Sequence, residues 1–199
     1  MTNLVPRPLI DIEPCHIGMV TLTPVTTRQL FSIALRAGSR RILAEKLERL
    51  FGLELPAVGK HLLGDRASIF WSGPDQWYLE LFDQSKDSGI DKSLAAIESC
   101  CSFVEHTGGF VRIDVTGDAR HDVFNRLCPL DTRRFGLDDV ARASIHHISC
   151  LIWRAGLGLA VMGPRSTAAS LWGAIHDAAR AVESLTLRLP KEKTAERKP

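Results

Sequence analysis

Ile69-Phe70-Trp71-Ser72-Gly73-Pro74-Asp75-Gln76-Trp77-Tyr78-Leu79-Glu80-Leu81 is an apolar run ending in Trp, a short Gly-containing turn and a second apolar run. Roughly eighty residues later the pattern returns as Leu151-Ile152-Trp153-Arg154-Ala155-Gly156-Leu157-Gly158-Leu159-Ala160-Val161-Met162, a separation that suggests an internal duplication. Each stretch reads as a β-hairpin. Together they point to one domain built of two similar halves.

The flanking elements repeat with the hairpins. Before the first, Leu30, Ser32 and Ala34 alternate with Phe31, Ile33 and Leu35 as in a strand. Ser39 is placed to cap a helix carrying Leu43, Leu47 and Leu50 on one face, with Arg41–Glu45 and Glu45–Arg49 as i,i+4 pairs and Gly52 as its stop. After the hairpin come a helix with Leu94, Ile97 and Cys101 at helical spacing and a short strand near Phe103 to Glu105. The second half opens at the turn His106-Thr107-Gly108-Gly109, and Phe110 to Val115 alternates as a strand. Asp118 begins a helix with Ala119, Val123 and Leu127 on one side, which Pro129 ends; a polar loop, 131–143, leads to the second hairpin, 145–162. A last helix starts at Pro164-Arg165-Ser166 with a stripe of Ala168, Leu171, Ile175, Ala178 and Val182, and Leu185 to Leu189 is expected to close the fold as a strand.

Each half thus reads β-α-β-β-α-β, a split βαβ unit that forms an antiparallel sheet with helices on one face. The expected architecture is α+β, one duplicated domain over 26–189 with halves of about 28–106 and 107–189 in a pseudo-twofold relation. Two such units can join sheets or exchange edge strands, which covers exposed edges. Residues 1–25 are Pro-punctuated and read as an arm lying on the fold or on a neighbour; 190–199 reads as a disordered charged tail.

Composition narrows the function. A formal net charge of +2 is too weak to suggest nucleic acid or an acidic membrane. Pro6, Asp11, Glu13 and Pro14 interrupt any secretory leader pattern, and the apolar stretch near 148–162 is broken by Arg154 and two glycines, so it does not span a bilayer. Five cysteines with no Cys-x-x-Cys spacing read as reduced thiols, and the expected location is the cytoplasm.

Catalytic signatures are missing: no Gly-x-Ser-x-Gly elbow, Walker loop, His-Glu-x-x-His or EF-hand loop occurs. Gly156-Leu157-Gly158 has Val161 where a dinucleotide fingerprint needs glycine, and reads as a hairpin turn. His146 and Cys150 would share one face of a strand with His147 on the other, which leaves two metal ligands at most. His121–Asp122 and His176–Asp177 are sequence neighbours on helices and diverge, so neither forms a catalytic dyad. Trp71, Trp77, Trp153 and Trp172 could stack on a flat ligand such as a pterin, but are read first as core or interface anchors. Arg165-Ser166-Thr167 at a helix start is either an anion site or a simple cap by Ser166 or Thr167. No catalytic, cofactor-binding or metal residue is assigned; Arg133, Arg134, Arg165 and Ser166 are the candidates for interface or anion contact.

Trp71-Ser72-Gly73-Pro74-Asp75-Gln76-Trp77, Cys128-Pro129-Leu130-Asp131, Pro164-Arg165-Ser166-Thr167-Ala168-Ala169-Ser170-Leu171-Trp172 and Phe51-Gly52-Leu53-Glu54-Leu55-Pro56 together resemble the gamma subunit family of heterotetrameric sarcosine oxidase. The segments are similar in order and spacing to that family over about residues 28–185, nearly the whole chain. Thr167 stands where the family pattern usually has Tyr, which removes a ring and any contact made through it.

The resemblance implies a folate-binding-domain fold, like that of the aminomethyltransferase of glycine cleavage. It also implies a non-catalytic subunit that partners alpha, beta and delta subunits in oxidatively demethylating sarcosine to glycine. By the same resemblance the cofactors of such a complex, FAD, FMN, NAD, tetrahydrofolate and zinc, sit on the other subunits. The alternative reading is a stand-alone folate-binding or one-carbon transfer protein. A scaffold for a related secondary-amine dehydrogenase is a third.

Overall fold

The computed structural model describes residues 13–25, 29–82 and 90–188. Residues 1–12 of the arm and the tail 190–199 lie outside them. In chain order the elements are β1 (Cys15–Ile17), β2 (Val20–Val25), β3 (Gln29–Leu35), α1 (Arg40–Phe51), β4 (His61–Leu63), β5 (Ala67–Gly73), β6 (Gln76–Leu81), α2 (Ile90–Ile97), β7 (Cys101–Glu105), β8 (Phe110–Thr116), α3 (Arg120–Leu127), β9 (Val140–Ile145), β10 (Ile148–Ala155), β11 (Gly158–Pro164) and α4 (Ala168–Arg188).

Two antiparallel sheets result. One has the order β4-β5-β6-β3-β7 and the other β1-β2-β8-β11-β10-β9. Strand alternation sends one face of each to helices. Ile33, Ile69, Trp77 and Leu79 pack on Leu43 and Leu47 of α1 and Leu94 and Ile97 of α2. Ile113, Val115, Ile152 and Val161 pack on Val123 and Phe124 of α3 and Leu171 and Ile175 of α4. The opposite faces meet through Leu30, Phe70, Val140, Leu151, Trp153, Ala160 and Met162, with the Phe70 and Trp153 ring centroids 4.8 Å apart. The layering is helix–sheet–sheet–helix. β10 and β11, covered on both faces, are near-continuous apolar runs for that reason.

Set side by side, β4-β5-β6-β3-β7 and β9-β10-β11-β8-β2 have one order, but the last strand of the second comes from the N-terminus. The described part of the arm lies on the fold as the β1–β2 hairpin, pairing Leu22 with Val115 and burying Val20 and Leu22. Gly117, with φ +103°, lets the β8–α3 turn approach it: a Cβ there would stand 2.1 Å from the Met19 carbonyl oxygen.

The strand expected at Leu185 to Leu189 is therefore corrected. Residues 185–188 continue α4, where the Ser184 and Thr186 hydroxyls donate to the Ala181 and Val182 carbonyls of the preceding turn. Leu185 and Leu187 are exposed, so their alternation reflects no buried sheet face. The 131–143 segment is not all loop, since it holds a 3-10 turn, Thr132–Arg134, and the start of β9. β4, three residues long, had no period to read. Ser39 stands at the α1 N-cap position but its side chain makes no capping bond.

Candidate functional site

A cavity of about 690 Å³ opens between the sheets. Period-two alternation builds its floor. In β6, Trp77, Leu79 and Leu81 point at helices, which turns Glu80 toward the other sheet. In β8, Val111, Ile113 and Val115 point at helices, which turns Arg112 and Asp114 toward the same space. Ser68 and Phe70 reach it from β5 and Trp153 from β10.

Arg112 is the hub. Its Nε and Nη2 donate to the two Asp114 carboxylate oxygens at 2.8 and 3.0 Å, a bidentate pairing. Its Nη1 lies 3.7 Å from Glu80 Oε2, which also accepts from the Ser68 hydroxyl at 3.1 Å. Its guanidinium sits 5.1 Å from the centroid of Trp153. The side chains of Arg112, Glu80 and Asp114 are only 14%, 10% and 23% exposed. One cation faces two carboxylates, so the floor carries an excess negative charge in a poorly solvated place.

His61 forms part of the wall. It is buried, its ring stacks on Phe70 at 5.7 Å, and its Nδ1 has no hydrogen-bond partner. Burial pushes its pKa below the usual imidazole value, against a smaller opposing pull from Asp138 and Asp139. A neutral imidazole keeps one acceptor nitrogen. Beside it Lys60 bridges Asp139 at 2.7 Å and Asp138 at 3.1 Å, and Val140 N–H donates to Gly59 C=O at 2.9 Å. The hydrogen bonds that Lys60 donates to Asp139 and Asp138 raise its pKa, and the Lys60 bond lowers that of Asp139. These contacts tie the β4 segment to β9 at the cavity rim. His61 and Trp153 pack on Phe70, and Arg112 covers the Trp153 face, so what the cavity offers an entering ligand is the carboxylates of Glu80 and Asp114 rather than a free ring face.

The residues singled out from sequence are scattered by comparison. Of the four tryptophans only Trp153 lines the cavity. Trp77 is core, donating through Nε1 to Pro56 C=O at 3.1 Å; Trp71 and Trp172 are half-buried packing residues. His146 and His147 are not strand residues. They form the β9–β10 turn, exposed, with φ +46° and +67°, while Cys150 is buried. Among the described residues no group of three or more His, Cys, Asp or Glu is placed to hold a metal. His121 Nδ1 lies 3.0 Å from the Thr132 hydroxyl, and burial with nearby arginines lowers its pKa. Asp122 pairs with Arg133 instead. His176 and Asp177 do not diverge fully: Nδ1 and Oδ1 are 3.6 Å apart, at an exposed position.

Arg134, Arg165 and Ser166 are exposed. The helix start at Arg165–Thr167 is a 3-10 turn with no side-chain cap, because the Thr167 hydroxyl donates to Pro164 C=O at 3.0 Å. None of Arg133, Arg134, Arg165 and Ser166 lines the cavity. Gly156 and Leu157 form the expected hairpin turn. All five cysteines are free, and burial pushes the Cys101 and Cys150 thiols up to about 11. Sequence reading missed Glu80, Arg112 and Asp114, although charges inside two apolar alternations were a visible signal.

Two antiparallel sheets packed face to face between helices, with a cavity at their junction, place the chain in the α+β fold of aminomethyltransferases. A chain of heterotetrameric sarcosine oxidase from Corynebacterium sp. U-96, solved in complex with pyrrole 2-carboxylate, has that same fold. It superposes with a TM-score of 0.72 at 21% identity, over 86% of this chain and 89% of that one. Glycine cleavage system aminomethyltransferase T from Bartonella henselae superposes with a TM-score of 0.59 at 13% identity, over 87% of this chain and 52% of that one. The present chain thus spans about half of the aminomethyltransferase. No protein-family model and no curated protein matches the sequence.

Proposed function

We propose that this chain is the gamma subunit of a heterotetrameric sarcosine oxidase, a non-catalytic component that supports assembly with alpha, beta and delta subunits. One observation carries the reading: the likeness to a sarcosine oxidase chain extends over most of both chains. The assembly oxidatively demethylates sarcosine to glycine, with FAD, FMN, NAD, tetrahydrofolate and zinc held by the companions, in the cytoplasm. Among the described residues no helix is long and apolar enough to cross a membrane. The two sheets are read as two versions of one β-α-β-β-β-α unit, followed by β7 in the first half and completed by β2 from the N-terminal side in the second. Arg133, Arg134, Arg165 and Ser166 remain the candidate contact residues, all on the surface. Co-expression with alpha, beta and delta subunits tests this: a stable four-subunit complex is expected, with no sarcosine turnover by this chain alone. Full assembly and activity without it would refute the reading.

The cavity favours a second reading, a folate-binding or one-carbon transfer protein. The carboxylates suit the N–H groups of such a ligand: Glu80 and Asp114 line the cavity and can accept from them. Tetrahydrofolate would supply the one-carbon acceptor; this chain would bind and orient it and shield it from water. Titration followed by tryptophan fluorescence tests it, with Trp153→Phe as the control that should abolish the signal. An unchanged spectrum at saturating tetrahydrofolate removes this reading.

A further inference from the structure

The five-stranded sheet ends on β7, and among the described residues no strand pairs with its outer side. Its counterpart in the other sheet, β2, is covered by β1 through Cys15↔Leu22, His16↔Thr21 and Ile17↔Val20. Of these two equivalent slots, the one beyond β7 is left without a strand among the described residues.

Register decides which groups face that slot. β7 pairs with β3 through Ser32↔Val104 and Ala34↔Ser102. His106 N–H to Leu30 C=O at 2.7 Å and Arg36 N–H to Cys100 C=O at 3.0 Å continue the ladder in phase. Even-numbered residues of this stretch thus bond β3, and antiparallel geometry turns the N–H and C=O of Phe103 and Glu105 outward.

Alongside the edge runs a groove of about 300 Å³ between β3, β7 and α2. Phe31, Leu94 and Phe103 give it apolar walls, the two Phe rings edge to face at 6.3 Å. Gln29 Oε1 is buried in it and accepts no hydrogen bond. Glu98 and Glu105 stand exposed at its side, and neither forms an ion pair with another described residue. The groove offers two carboxylates and an orphan amide oxygen, and among the described residues no cation lines it.

We propose that this edge and groove dock an extended basic segment of a partner polypeptide, which adds to β7 as a strand and lays one Arg or Lys side chain in the groove. Main-chain bonds to Phe103 and Glu105 supply the ladder. The alkyl stem lies on Phe31, Leu94 and Phe103, and the cationic head donates to Gln29 Oε1 and the carboxylates of Glu98 and Glu105. Strand addition also covers an edge that would otherwise invite aggregation. The inference stands apart from the assembly reading, because its test needs no companion subunit.

The probes are the capped pentapeptide Arg-Val-Arg-Val-Arg and its acidic counterpart Glu-Val-Glu-Val-Glu, titrated into the full-length ¹⁵N-labelled chain. The basic peptide is expected to shift the Phe103 and Glu105 amides saturably, and the acidic peptide to leave them unmoved. Glu105→Pro removes an N–H that the β3 ladder does not use, so the fold tolerates it while strand addition is blocked. Its affinity for the basic peptide should fall at least about tenfold. Should that variant not fold, the exposed pair Glu98→Lys with Glu105→Lys carries the same test and the same expected loss. Equal responses to both peptides, unmoved Phe103 and Glu105 amides, or full affinity in the variants would each overturn the proposal. So would amides at 103 and 105 already protected from hydrogen exchange in the free chain, since the edge would then be covered by the chain itself.

Discussion

Arg112→Met tests whether the cluster between the sheets is a true buried ionic network. The substitution keeps an apolar stem against Trp153 but removes two charge-assisted bonds, at 2.8 and 3.0 Å, and the stacking at 5.1 Å. Glu80 and Asp114 are left facing each other across the cavity floor, 10% and 23% exposed. Breaking a fully buried pair costs about 3–5 kcal/mol through the uncompensated charge. The cavity admits some water to Asp114, so the lower end applies, about 3 kcal/mol. With a urea m-value of about 2 kcal/mol/M, the unfolding midpoint should fall by about 1.5 M at neutral pH. Adding Asp114→Asn removes one of the stranded charges and should recover at least about 1 kcal/mol, a non-additive coupling expected of groups in direct contact. A loss below about 1 kcal/mol for Arg112→Met, or strict additivity in the double variant, would mean the cluster is solvated like a surface pair.

Four further outcomes can be checked. Replacing His146-His147 by Asn-Gly relieves two positive-φ positions in the β9–β10 turn and should stabilise by about 1 kcal/mol, a rise of about 2–4 °C in Tm. Gly117→Ala puts a Cβ against the Met19 carbonyl at a φ of +103°, and should cost more than about 2 kcal/mol in urea unfolding while loosening the β1–β2 hairpin in hydrogen exchange. The Cys101 and Cys150 thiols, pushed up to about 11 by burial, should resist a thiol reagent at pH 8 until the chain unfolds, whereas half-buried Cys15 reacts in the folded state. His61 and His121 are held below their ordinary pKa chiefly by burial, so the unfolded chain binds protons more readily. Stability should be full above about pH 6.5 and fall as pH drops through the histidine range, and His61→Phe should flatten that fall; a pH-independent midpoint between 7 and 5 would contradict it.

Much of the framework was legible because its signals are local. The two Trp hairpins, the Leu43–Leu47 stripe of α1 and the Phe110 to Val115 alternation each report on a few neighbouring residues, and all three formed as read. What escaped depended on contacts far apart in the chain. Val20 and Leu22 alternate over too short a span to announce a strand, and their partner Val115 is most of the chain away. Leu185 and Leu187 imitate the same alternation, yet helix continuation from Val182 wins because the slot they would have filled is taken.

The site was missed for a related reason. Arg112 and Asp114 alternate with Val111, Ile113 and Val115, and such a pattern in an antiparallel strand ordinarily marks a face open to water. Only the second sheet, lying over that face, turns those charges into buried ones, and only Glu80 on β6 shows that the covering surface is complementary. Sequence alternation says which residues share a face, never what lies across it. For the same reason the outward amides of β7 are informative: the period that hid the ionic cluster assigns Phe103 and Glu105 to an edge that nothing described covers. The inner faces thus hold the ionic cluster, and the β7 edge keeps outward backbone groups to offer a partner.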